Sequence, residues 1–101
     1  MIGNHFATLS NPLRRRLLQE LYEQGPGAEL TVPDDIVGDD EDETRVWTEL
    51  KHTHLPKLES DDLIQWDRTD EKVTRGSDFD EIEPLLELFD DHGDDLPYEW
   101  P

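Results

Sequence analysis

The residues best able to do chemistry in this chain are few, and they crowd into its first three quarters. All 9 lysines and arginines precede Gly76, so a site for an anion must be built there. Four histidines among many carboxylates raise the question of a metal. His52 and His54 stand two apart in KHTHLPKL, residues 51–58, a spacing that points them to different sides of a helix. His5 and His92 lie near the termini, so no specific metal site is expected, despite the Asp-His run at residues 90–92. With 27 Asp and Glu residues, some carboxylate pair would arise by chance. There is no cysteine, no nucleophile motif and no phosphate-binding glycine loop. Neither an enzyme nor a cofactor is expected, and what remains is the chemistry of cations meeting phosphates or carboxylates.

These cations need elements to position them. In FATLSNPLRRRLLQELYEQGPG, residues 6–27, Ser10 or Asn11 can cap a helix with Pro12 in its first turn. Leu13, Leu17, Leu18 and Leu21 give that helix its stripe, and Gly25 to Gly27 end it, while Phe6 and Leu9 suggest a short helix or turn before the cap. TVPDDIVG, residues 31–38, reads as a short helix, with Thr31 and Asp34 in capping-box spacing. An acidic connector then suits the N-terminus of a helix over ETRVWTELKHTHLPKLES, residues 43–60. Steps of about 100° place Val46, Trp47, Leu50, His54 and Leu58 on its inner face, and Arg45, Thr48, Glu49, His52, Pro56 and Glu59 outside. Pro56 either kinks this helix or sits in the first turn of one restarting near Thr53.

LIQWDRTDEKVTR, residues 63–75, reads as two short strands with Ile64 and Trp66 inward, a turn near Thr69 to Glu71, and Val73 returning. Phe79, Ile82, Leu86 and Phe89 follow a 3-4-3 pattern on an amphipathic helix, in which Pro84 is tolerable if the helix begins near Asp80. Helix, helix, helix, β-hairpin, helix is the order of a winged helix-turn-helix. The expected fold is thus mainly α with a small β-hairpin. A domain over residues 1–76 is followed by a C-terminal, dimerising helix over 77–91 and an acidic tail over 92–101.

The 101 residues suit one domain, without an apolar run long enough for a membrane span or an opening signal peptide, so a soluble cytoplasmic protein is expected. The formal net charge is −18, and residues 77–101 alone hold ten acids and no base. Aspartate-rich, lysine-poor surfaces suit a cytoplasm at molar salt, where the Debye length of about 3 Å cancels most self-repulsion.

Two stretches carry a resemblance. LSNPLRRRLLQEL, residues 9–21, resembles the opening helix of ArsR-type repressors, and HLPKLESDDLIQWDRTDEKV, residues 54–73, resembles that family's recognition-helix end and wing. The HTHLPKL form is similar to small ArsR-like winged-helix proteins of halophilic archaea, and the likeness spans roughly residues 6–90. It implies a homodimeric regulator of transcription that dimerises through its terminal helices and reads duplex DNA with its third helix and wing. The departures are three: Asp61-Asp62-Leu63 in place of an alanine-glycine-leucine turn, which asks Asp62 to adopt a left-handed backbone, the lack of sensing cysteines, and a recognition helix whose exposed face is poor in bases.

On this reading Arg45, Thr48, Lys51 and His52 face DNA from the third helix, and Arg68, Lys72 and Arg75 grip the backbone or minor groove from the wing. Arg14 and Arg15 are phosphate contacts, ionic contacts with the acidic parts of a partner subunit, or ordinary solvated cations of the first long helix. Phe79, Ile82, Leu86 and Phe89 form a dimer seam or the chain's own core, with the seam favoured. The alternative function is a winged helix without DNA binding: a protein-interaction adaptor, or an acidic DNA mimic, that meets its partner through the C-terminal region. Convergence of Arg45, Lys51, Arg68 and Lys72 on one surface favours DNA. Their dispersal among carboxylates favours the adaptor.

Overall fold

The computed structural model describes residues 2–38 and 42–91, with side chains at all of these except 2–4, 6 and 89–91. The chain is mainly helical, with a small antiparallel sheet: α1 (Ile2–Leu9), α2 (Pro12–Gln24), β1 (Leu30–Thr31), α3 (Glu43–Glu49), a π-helical turn (Leu50–His54), α4 (Leu55–Ser60), β2 (Ile64–Asp67), β3 (Lys72–Arg75) and α5 (Phe79–Asp91). The tail over 92–101 lies outside the described residues.

α2 starts as its sequence dictates. The Asn11 side chain accepts hydrogen bonds from the amides of Leu13 (2.9 Å) and Arg14 (3.2 Å), with Pro12 at the first helical position. At its other end Gly25 takes φ +94°, a conformation other residues adopt only under strain. Leu17, Leu18 and Leu21 of α2 are fully buried beside Leu9, Leu50, Leu58 and Ile82, making one core.

The expected helix over 31–38 does not form. Leu30 and Thr31 extend instead as β1, pairing with Val73 and Lys72, so the hairpin becomes a three-stranded sheet in the order β1-β3-β2. Residues 32–36 run as consecutive turns that contain a cis Val32–Pro33 peptide. Asp35, not Asp34, closes the local loop: its Oδ2 accepts from the Thr31 amide at 2.7 Å. β-branched Thr31 gains a sheet partner, and proline supplies no amide for a helix. Val32 and Ile36 still reach the core.

α3 is capped by Asp42, whose side chain accepts from the Arg45 amide. Five residues of π-helix then follow, after which Pro56 falls in the first turn of α4. The helix thus restarts just before the proline, and the Leu55 amide reaches back five residues to Leu50 O. His54, at the end of this turn, is 5% exposed. Its Nδ1 accepts a 3.0 Å hydrogen bond from Arg14 Nε, tying the turn to α2.

Ile64 is buried and Trp66 half-buried on β2, which pairs with β3 in a register that sets Trp66 opposite Val73. Asp67 Oδ1 accepts from the amides of Thr69 and Asp70 to form the turn. Asp62 adopts φ 61°, the left-handed backbone expected of it. Its carbonyl accepts the Asp78 amide at 2.8 Å, while Gly76 N donates to Leu63 O at 2.9 Å. The two chain segments are so close here that a Cβ at Gly76 would strike the Asp62 carbonyl oxygen and would lie 2.6 Å from Ile64 N. In α5, Phe79, Ile82 and Leu86 are buried in the chain's own core, 2%, 0% and 0% exposed. These three expected seam residues are therefore core, because α5 packs back on α1 and α2. The side chain of Phe89 lies outside the described residues.

Two predictions follow from this packing. Gly76→Ala meets backbone that cannot swing aside, and is expected to cost about 2–4 kcal/mol in a denaturation midpoint. An unchanged midpoint would show that the two segments are not pressed together. His54 has its pKa held below the ordinary 6.5 by burial and then by the Arg14 charge, with Glu49 partly opposing. The unfolded chain therefore takes up a proton that the native state refuses. Stability should fall as pH drops from 6.5 toward the native pKa and level off below both. Thermal melts of His54→Gln should lack that component, and equal pH slopes in the two proteins would mean that His54 is protonated as easily folded as unfolded.

Candidate nucleic-acid interface

The exposed face of α3 and the π turn consists of Glu43, Thr44, Arg45, Thr48, Lys51, His52 and Thr53. Between Thr44 and Thr53 the single acid is Glu49, whose Oε1 lies 3.4 Å from Arg45 Nη1. This exposed face thus carries two cations, one carboxylate, three hydroxyls and an imidazole on a chain of net charge −18. The four residues expected to face outward, Arg45, Thr48, Lys51 and His52, are all exposed here. The Thr48 hydroxyl donates to Thr44 O at 2.8 Å, which leaves its oxygen able to accept.

The hairpin cations are placed differently. Arg68 lies with its guanidinium carbon 4.1 Å from the centroid of the Trp66 ring. It also forks onto Glu59, at 2.8 and 3.3 Å. Lys72 Nζ is 3.3 Å from Glu29 Oε1. Both remain partly exposed, at 58% and 39% of their side-chain surface. Surface pairs of this kind are worth about 0–1 kcal/mol and exchange readily for another anion.

Arg75 is a structural residue and not a grip on DNA. Its side chain is 14% exposed. Nε and Nη2 donate to Leu21 O at 3.2 and 3.0 Å, Nη2 also to Tyr22 O, and Nη1 pairs with Glu83 at 2.8 Å. It thereby serves Leu21 O near the end of α2 and shares Tyr22 O with the Gly25 amide. Phe79 packs beneath it, with 4.4 Å from guanidinium carbon to ring centroid. Arg14 is likewise turned inward, to His54. Arg15 is half-buried on α2, and burial, followed by the charge of Arg16, lowers its pKa. The third α2 arginine, Arg16, lines a cleft of about 230 Å³ together with Arg45 and Glu49 of α3.

A cleft of about 370 Å³ separates α3 from the hairpin, lined by Trp47, Lys51 and Pro56 on one side and Trp66, Arg68 and Glu71 on the other. Lys51 Nζ stands 5.6 Å from the Trp47 centroid, so each tryptophan is covered by one cation. Trp66 Nε1 is buried without a hydrogen-bond partner. Sequence reasoning placed both tryptophans in the core and missed this role. Trp47 next to the exposed cation positions, and Trp66 two residues before Arg68, were the available signals.

Among the described residues no group of three histidine or carboxylate side chains is arranged to hold a metal, and no helix is long and apolar enough to cross a membrane. No curated protein and no solved structure matches the chain. A family does match, over residues 6–74, a span that runs from α1 through the first three residues of β3. On that match the chain belongs to DUF7344, a family of domains of unknown function.

Proposed function

We propose that this chain is an ArsR-like winged helix-turn-helix regulator of transcription that binds duplex DNA as a homodimer in a cytoplasm at molar salt. The observation that carries this reading is the exposed α3 face: on a strongly acidic chain it gathers two cations, three hydroxyls and an imidazole between two carboxylates, Glu43 and Glu49. In this reading α3 with its π turn is the recognition helix and β2–β3 is the wing. Arg45 addresses a guanine edge with its planar fork, and Thr48 and His52 contact bases or phosphates. Lys51 and Arg68, on either side of the tryptophan cleft, hold the phosphate backbone. Phe79, Ile82 and Leu86 are spent on the core, so the dimer contact draws on what α5 leaves outside, such as half-exposed Leu88, and on the remaining termini.

Molar salt makes such a surface workable. At low ionic strength the carboxylates around the α3 face would repel DNA. With a Debye length of about 3 Å only groups in contact with a phosphate matter, and cations taken up by the acidic surface assist the approach.

A second reading, the protein-interaction adaptor, is favoured by the ion pairs. Arg45, Arg68 and Lys72 each have a carboxylate within 3.4 Å, so of the four diagnostic cations Lys51 is the one held by a ring alone.

Retention of genomic DNA fragments by the folded protein in about 2–3 M KCl separates the two. Arg45→Ala/Lys51→Ala removes two exposed side chains and should leave the melting temperature unchanged while weakening retention about 10- to 100-fold. Wild-type protein that is folded at this salt and retains no fragment would sink the DNA reading and leave the adaptor. Retention untouched by the double variant would move the contact surface away from α3.

A further inference from the structure

Arg14 is an arginine whose charge is not matched by a carboxylate among the described residues. Its Nε is committed to neutral His54, and neither terminal nitrogen donates a hydrogen bond among the described residues. The side chain lines a cleft of about 270 Å³ where α1, α2, α4 and α5 converge. His5, Thr8, Lys57, Asp61 and Glu81 line the same cleft. Two of its ionisable groups already satisfy each other, Lys57 Nζ and Asp61 Oδ2 at 3.3 Å. Glu81 is less engaged: its Oε1 lies 3.6 Å from His5 Nε2, and 54% of its side chain is open to solvent.

We propose that this cleft binds a small zwitterion, an α-amino acid, with its carboxylate on Arg14 and its ammonium on Glu81. The two unused Nη groups of Arg14 form the planar fork that a carboxylate fits with two parallel hydrogen bonds. A simple anion would also suit Arg14, Lys57 and His5, but it would meet Asp61 and Glu81 as like charges. A simple cation would meet the reverse. A ligand with both signs close together makes use of both sets, and the Thr8 side chain and the hydrocarbon stem of Lys57 offer contact to its body. Because Arg14 also fixes His54 at the end of the π turn, occupancy of the cleft acts on the same side chain that anchors α3. Binding here does not require that α3 reads DNA.

The test is calorimetric titration of the full chain with each standard L-α-amino acid, and then with the amide and the N-acetyl derivative of any that binds. At least one amino acid should bind, with both derivatives weaker by about tenfold or more, the worth of one charge-assisted hydrogen bond. Glu81→Gln alters a half-exposed side chain and should weaken the amino acid by a similar factor at an unchanged melting temperature. Arg14→Lys keeps the charge, loses the fork and should weaken it too. Binding by none of the amino acids overturns the proposal. So does an N-acetyl derivative that binds as tightly as its parent, which would make the cleft a plain anion site, or unaltered affinity in Glu81→Gln.

Discussion

Pro56 constrains the chain more than any other residue. It has no amide hydrogen, and its ring collides with the carbonyl four residues back, so the helical run from Glu43 to Ser60 cannot be regular. The π turn is the relief. On a regular helix Leu50 and Leu55 would diverge by about 140° and could not both face one core. With the Leu55 amide bonded to Leu50 O they lie one above the other, and both are fully buried. Within this turn His54 faces inward to Arg14, while Lys51, His52 and Thr53 lie outside.

The His54–Arg14 bond shows how the chain manages charge where water is scarce. A guanidinium facing a protonated imidazole would be two buried like charges. Facing a neutral one, it makes a hydrogen bond at no Coulomb penalty. Arg75 meets the same difficulty with backbone: carbonyls near the end of α2 take its hydrogens, and Glu83 takes its charge. These two arginines act as fasteners between elements distant in sequence. Removing either would strand buried acceptors, which costs more than the bonds themselves contribute.

Much of the fold could be read from residue order, because helix caps and stripes are local. Asn11 with Pro12, the leucines of α2, the hairpin around Asp67 to Glu71 and the left-handed Asp62 all follow from neighbouring residues. What could not be read depends on distant partners. Leu30 and Thr31 are too short a run to announce a strand, and they become one because β3 offers an edge. The 3-4-3 stripe of α5 specifies a buried face and is silent about what buries it, so core and seam look alike until α5 is seen packed on α1 and α2. The candidate site divides the same way. Exposure of Arg45, Thr48, Lys51 and His52 follows from helical periodicity, whereas the inward turn of Arg75 depends on carbonyls 53 and 54 residues away.

The remaining cations differ in what it would cost to free them, and that difference decides what the surface can do. Arg45 is 61% exposed and pairs with Glu49 one helical turn away, a pair worth about 0.3–0.5 kcal/mol. A phosphate replaces such a partner easily, since its charge-assisted bond is stronger than the pair it displaces. Arg68 is held by two bonds to Glu59 and by its stack on Trp66. Its fork is occupied, yet the ring keeps the guanidinium plane fixed, so an arriving anion meets a cation already in place and little side-chain entropy is lost. Lys51 has no carboxylate partner among the described residues and stands over the Trp47 ring. The acidic surroundings thus do not disable the α3 face. They tether Arg45 and the hairpin's Arg68 loosely, and a ligand that brings a stronger anion than a solvated carboxylate, in salt high enough to silence the rest of the surface, needs only to displace those tethers.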